Sequence, residues 1–217
     1  MVKYFQKYKE NSVFIRIISE IQRKVQDITM DNGASSYRRF LDGDEGAFDE
    51  IMEVYRIPLT FFINRYVCDM WTAEDIAIDV FCYVLTHPRR YNFKASLKTY
   101  LFMLGRSRAI DHIRRRKRIE FTSLSQAERA DDSFDPENMY LRDEEMRALH
   151  SALNKLPEDM RAVVHLVYLE GLSYAEAGRV LKKTSKHIDN LLYRSKAMLR
   201  TYLGKEGQIF YENKRSF

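Results

Sequence analysis

The chain has 217 residues, 45% of them hydrophobic, a formal net charge of +5, and only 8 Gly and 4 Pro. That length allows one large or two small domains with ordinary cores, and the scarcity of Gly and Pro argues against a turn-rich all-β design. No apolar run approaches the roughly eighteen residues a membrane span needs, and the start, MVKYFQKYKENSVFIRIISE, has Lys and Glu inside its apolar stretch and no small-residue cleavage site, so a cytoplasmic location is expected. Cys68 and Cys82 form no ligand or redox spacing and read as small core residues. The uneven distribution of charge, a dense Arg cluster followed by an acidic tract, is what a nucleic-acid binder with a spacer looks like.

Residues 1–29 carry Phe14, Ile17, Ile18, Ile21, Val25 and Ile28 at helical spacing. This extension reads as an accessory helix; a membrane-surface helix and translation from Met30 are the alternatives. A first domain, 35–118, opens with an apolar pattern through Ala47, Phe48, Ile51 and Tyr55 that predicts a helix as far as Pro58. A second apolar segment runs from Leu59 to Val67. Thr72-Ala-Glu-Asp75 resembles a capping box and predicts a helix from Ala73 to about Thr86, burying Ile76, Val80, Phe81 and Val84. Glu74, Asp75 and Asp79 share its other side, as a docking patch for a basic partner or a solvated face, without the His or further carboxylates a metal would need.

The loop Arg89-Arg-Tyr-Asn-Phe-Lys94 interleaves aromatic and cationic residues, a composition suited to stacking unpaired bases while gripping the backbone. Ser96 is placed to cap the central helix, Leu97 to Arg118, on the order of 33 Å long. Its first half is apolar nearly all round and predicts packing on several sides. Its second half narrows to Ala109, Ile110 and Ile113 beneath Arg106, Arg108 and Arg114 to Arg118. Such a cationic end is either solvated or laid on a polyanion. Four helices around this one make the first domain.

Residues 119–143 are polar and acidic without a period and read as a flexible linker. A second domain, 144–203, follows, with a tail, 204–217. Met146 to Leu156 marks one helix, Pro157 opens another to Glu170, and Gly171 stops it. Ser173-Tyr-Ala-Glu176 is a capping box, Lys182-Lys-Thr184 a short turn, and Thr184 a cap for the last helix: a helix-turn-helix. Ile188, Leu191, Leu192, Ser195, Leu199 and Tyr202 form the core stripe. The opposite side carries Lys186, Asn190, Tyr193 and Arg200, flanked by His187 and Arg194, and its N-terminal turn, with Thr184 and Ser185, would enter the major groove, Asn190 pairing with adenine and Arg194 with guanine or phosphate. The fold class is therefore all-α, two small helical domains on an acidic tether.

In two blocks over about Tyr37 to Leu203 the chain resembles the extracytoplasmic-function type of bacterial RNA polymerase sigma factor. DGDEGAFDEIMEVY…AEDIAIDVFCYVL…LKTYLFMLGRSRAIDHIRRRKR is similar to the family's region two, and LPEDMRAVVHLVYLEGLSYAEAGRVL…IDNLLYRSKAMLR to its region four. The resemblance implies that Asp75, Asp79 and Phe81 dock on the clamp helices of the polymerase β′ subunit. It implies that Tyr91, Asn92, Phe93, Lys94, Tyr100, Arg106, Arg108, Asp111, Arg114 and Arg115 melt the downstream (−10) element. The second domain would read the upstream (−35) element and meet the β flap, and an anti-sigma factor is the expected regulator. Ile78 for the common Gln, Ser107 for Asn, Lys182 for Gly and Asp189 for a basic residue depart from the family's pattern. Of these, Lys182 would cost about 1 kcal/mol in a left-handed turn.

No catalytic motif, cofactor site or metal set is found, so no enzyme is expected. A stand-alone helix-turn-helix regulator would keep the DNA binding but has no use for a base-stacking loop. A recombinase would need an activated nucleophile, for which Ser107 between Arg106 and Arg108 is the candidate.

Overall fold

The computed structural model describes residues 33–122 and 144–213, all of whose regular elements are helical. The accessory-helix and Met30 readings of residues 1–29, and most of the acidic linker, lie outside them. In the first domain α1 (Ala34–Leu41), α2 (Gly46–Val67), α3 (Met70–Thr86) and a 3-10 turn (Pro88–Arg90) surround the central α4 (Leu97–Thr122). The second domain holds α5 (Glu144–Asn154), α6 (Glu158–Val164) continued by a π-helical turn (His165–Leu169), α7 (Tyr174–Leu181) and α8 (Ser185–Asn213).

Three α-helices rather than four surround α4, because α2 runs straight through Pro58. Proline removes one backbone donor and usually breaks a helix. Here Val54 and Ile57 lie on the exposed side, where a carbonyl left without a donor can meet water, while Ile51, Tyr55, Leu59, Phe62 and Ile63 keep one continuous buried stripe. The start of α3 also differs from the expected capping box. Asp69, not Thr72, is the cap: its carboxylate accepts from the Thr72 amide at 3.0 Å and from the Thr72 hydroxyl, and these bonds hold it below the usual carboxylate range.

Ser96 caps α4 as expected, its hydroxyl accepting from the Thr99 amide at 3.2 Å. Leu97, Leu101, Phe102 and Ala109 are buried. At Gly105 the helix crosses α2 so closely that a Cβ would stand 2.8 Å from the Leu59 side chain. Beyond Arg118 the backbone stays helical to Thr122, four residues into the segment read as linker. Cys68 and Cys82, read as core, are both exposed. Cys68 terminates α2 in a left-handed conformation, φ 55°, with its amide on the Asn64 carbonyl.

In the second domain the helix opened by Pro157 widens into the π-turn before Gly171 stops it at φ +68°. The capping box of α7 is complete: the Glu176 amide bonds the Ser173 hydroxyl and the Ser173 amide bonds the Glu176 carboxylate. Lys182 adopts the left-handed conformation, φ 56°, that the helix-turn-helix turn demands. The turn presses on α7 so tightly that a Cβ at Gly178 would lie 2.6 Å from the Lys183 carbonyl oxygen. Ile188, Leu191, Leu192, Ser195 and Leu199 are buried as the stripe requires. The α8 backbone continues to Asn213, ten residues into the stretch read as a tail.

Candidate nucleic-acid interface

Three surfaces carry the expected site residues. The first is the start of α8. Thr184 caps it through the His187 amide at 3.2 Å, and Thr184, Ser185, Lys186, His187, Asn190, Tyr193 and Arg194 are all exposed on one side. Tyr193, 75% exposed, stands out from that face. Four amides at the start of a helix lack intrahelical partners and favour anions, so this end can seat a phosphate while the side chains reach base edges. Asp189 lies on the same exposed face and opposes phosphate nearby.

The second surface joins the loop after the 3-10 turn to α4. Asn92, Phe93 and Lys94 are exposed, with the Asn92 side chain accepting from the Lys94 amide at 3.1 Å. Tyr91 is a correction to the expected set: it is 5% exposed and its hydroxyl donates to the Ala95 carbonyl at 2.6 Å, so it braces the loop instead of offering a face to a base. Phe93, at φ 59°, folds back onto Tyr91, ring centroids 4.6 Å apart, and stays 37% exposed. Tyr100 is half-buried against Tyr91 at 5.2 Å.

Two residues of α1 complete this loop and were absent from the expected set. Tyr37, fully buried, donates its hydroxyl to the Pro88 carbonyl at 3.0 Å, and burial pushes its phenol up to about 12. The Arg38 guanidinium lies 5.2 Å from the Phe93 ring centroid, a cation–π distance. One end of the loop is thereby tied to α1 by a hydrogen bond and its tip by a stacked cation. Sequence spacing carries no signal for this, since the partners are about fifty residues apart.

Along α4, Arg106 is half-buried over the Tyr66 ring, and Arg108 sits 5.1 Å from the Tyr83 centroid and 3.8 Å from Asp79. Asp111, Arg114 and Arg115 are exposed, with Asp111 and Arg114 paired at 3.7 Å. Ser107 is an exposed residue within the helix, not a turn nucleophile.

The third surface is the outer side of α3, where Asp75, Ile78, Asp79 and Cys82 are exposed and Trp71 projects at its start. Phe81 does not belong to it. It is 1% exposed and packs against Phe48 in the core, so it supports the helix and cannot touch a partner. Glu74 turns aside to pair with Arg56 at 3.2 Å.

The described residues include no helix long and apolar enough to cross a membrane. Comparison with known proteins agrees with this architecture. The sigma-70 region 2 profile matches residues 51–119 and the sigma-70 region 4 profile residues 146–199, together more than half of the chain. The RNA polymerase sigma-H factor of Pseudomonas aeruginosa is 26% identical over 78% of this chain and 92% of its own length. The ECF sigma factor SigX of Bacillus subtilis is 25% identical over 73% and 84%. Two solved structures share the fold at 19% identity: the Bartonella quintana sigma factor RpoE with its anti-sigma factor NepR (TM-score 0.55, 72% of this chain and 96% of that one) and CnrH with the cytosolic domain of CnrY (TM-score 0.57, 81% and 99%). A region 2 domain around a cationic helix, followed by a region 4 helix-turn-helix, makes this chain a member of the sigma-70 family of RNA polymerase sigma factors, of the extracytoplasmic-function type.

Proposed function

We propose that the chain binds core RNA polymerase and directs it to promoters by reading the upstream element with α8 and melting the downstream element with the α1-braced loop and α4. The observation that carries this is the pairing, in one chain, of a groove-reading helix and a separate aromatic-cationic loop. Duplex reading needs only the first; capturing unpaired bases is the use of the second. Asn190 and Arg194 are the base readers. Asn92, Phe93, Lys94 and Tyr100 form the unpaired-base site, and Arg114 and Arg115 grip phosphates.

Asp75 and Asp79 on α3, with Ile78 between them, are the docking residues for the β′ clamp helices, and the second domain meets the β flap. Ile78 replaces a polar group with an apolar one at the centre of that patch, so contact there depends more on burial than on hydrogen bonding. The reading assigns no covalent chemistry to the chain and places it in the cytoplasm, where its polymerase is. The RpoE and CnrH structures hold an anti-sigma factor and a CnrY domain; a comparable inhibitor is the expected regulator here.

Co-elution with bacterial core polymerase tests the docking assignment. Wild-type protein should co-elute, and Asp75→Lys with Asp79→Lys should weaken binding at least tenfold while leaving upstream-element DNA binding intact. Unchanged polymerase binding in that variant would remove α3 from the docking surface.

A further inference from the structure

We infer that the C-terminal end of α3 carries a second stacking site for an unpaired base, built on the His87 ring beside the loop that captures the first. It rests on the sigma reading for the strand it meets, though not for the stack itself.

His87 directly follows α3 and is exposed. Its imidazole lies on the Tyr83 phenol, ring centroids 4.5 Å apart and planes 20° from parallel. The Arg108 guanidinium lies over the same phenol, 5.1 Å from its centroid. Cation, phenol and imidazole thus form a short stack between α4 and the end of α3. Tyr83 and Arg108 are half-buried, and the imidazole is its exposed member.

The imidazole is also fixed. Its Nδ1 contacts the Thr86 hydroxyl at 2.9 Å and the Tyr83 carbonyl at 3.1 Å, and no described residue bonds Nε2. A planar side chain held before its ligand arrives loses little freedom on stacking.

Cations stand next to it. Arg89 and Arg90, in the 3-10 turn that begins one residue later, are exposed and pair with no carboxylate among the described residues. Arg39 and Arg56, by contrast, are each engaged by a glutamate, at 3.0 and 3.2 Å. Uncommitted guanidinium groups beside an exposed ring suit a single strand, the cations holding phosphate while the ring takes a base.

The stack adjoins the capture loop. Tyr100 leans on Tyr91 at 5.2 Å and is also within electrostatic reach of the stack: burial raises its phenol, Tyr83 adds to the rise, and Arg90 and Arg108 oppose it. Tyr100 therefore links two aromatic groups, Tyr91 with Phe93 and Tyr83 with His87. A strand held by one base at Phe93 can lay a second on His87.

An imidazole at a helix C-terminus can instead serve only as a cap for the last carbonyls. Capping and stacking use different atoms, so substitutions separate them. His87→Phe keeps a ring and loses the nitrogen; His87→Asn keeps a polar group for the carbonyl and loses the ring.

Fluorescence anisotropy of the full chain tests the site, with a labelled mixed-sequence single strand of about ten nucleotides, the scale of a single-strand site, and the same sequence as a duplex. Wild type should bind the single strand. His87→Ala and His87→Asn should each weaken that binding about fivefold or more, the scale of one lost base–aromatic stack, and His87→Phe should restore it. Duplex affinity should not change in any of them. Arg89→Gln with Arg90→Gln should weaken single-strand binding and flatten its salt dependence. Should His87→Ala fail to fold, His87→Phe against His87→Asn decides. A wild type without single-strand affinity, a His87→Asn protein that binds as wild type does, or a His87→Phe protein as weak as His87→Asn would overturn the site. Promoter-directed transcription by a chain whose single-strand binding ignores His87 would remove this site and keep the sigma reading. Single-strand binding that depends on His87, in a chain that never binds polymerase, would do the reverse.

Discussion

Single side chains divide into readers, grippers and braces, and the division is measurable. Asn190→Ala or Arg194→Ala should reduce discrimination at the upstream element, each good base contact being worth roughly 1–3 kcal/mol. Paired Arg115→Ala and Arg116→Ala should weaken binding to every sequence and flatten its salt dependence. Competition titrations at several salt concentrations, on matched and scrambled sites, separate these outcomes; identical behaviour of both variants would remove the distinction. The braces behave differently again. Tyr91→Phe loses the hydrogen bond to the Ala95 carbonyl, about 1 kcal/mol of loop stability, and keeps every ring contact. Phe93→Ala keeps that bond and should lose promoter melting, read by permanganate reactivity of unpaired thymines, while upstream-element binding persists. Tyr91 was legible in the sequence as part of an aromatic loop, but not as its strut. Side-chain orientation there is set by α1, whose Tyr37 and Arg38 arrive from a remote part of the chain.

Elements were read most securely where periodicity and capping agree. The α8 stripe, the Ser96 cap and the Ser173–Glu176 box all stand where the sequence places them, because each is a local rule satisfied by residues within one or two turns. Readings that failed are those where tertiary contact overrides a local preference. Pro58 does not break α2, because the buried stripe on either side is worth more than the lost bond. Phe81 matched the docking helix by resemblance but points into the core. The helix-turn-helix turn offers a test at this scale. Gly178→Ala puts a methyl group 2.6 Å from the Lys183 carbonyl oxygen, backbone that cannot swing aside, and should destabilise the second domain by about 1–3 kcal/mol. Lys182→Gly should act in the opposite direction, raising stability by up to about 1 kcal/mol by relieving the left-handed strain. Thermal unfolding of both variants checks the pair of signs.

At the scale of the molecule, composition and charge asymmetry were enough for two domains on a tether, whereas the contact between Lys98 of the first and Glu170 of the second, 2.9 Å from ammonium to carboxylate, was not legible. Lys98 and Glu170 are 72 positions apart, and each reads alone as an ordinary surface residue. This buried contact carries its own pH dependence. Burial works against ionisation of Glu170, but the neighbouring His165 and Lys98 outweigh it and bring its carboxyl from 4.5 down to about 2. A carboxyl depressed in the folded state stabilises that state fully above its ordinary value and loses the contribution as pH falls from about 4.5 toward 2. The groups facing it are Lys98 of α4 and His165 of the π-turn, with Arg65 of α2 behind the imidazole. Wild type should therefore lose stability in that acidic window, and Glu170→Gln should show a flatter profile when the two are compared by thermal unfolding.

Run-off transcription tests the central claim most directly: purified chain, bacterial core RNA polymerase and pooled promoter fragments from the source genome, with core alone as the control. Promoter-directed sigma activity predicts new transcripts whose templates share an upstream motif, lost in the Asn190→Ala and Phe93→Ala proteins. Absence of polymerase binding and of new transcripts, with duplex DNA affinity intact, would contradict it and leave a stand-alone DNA-binding regulator.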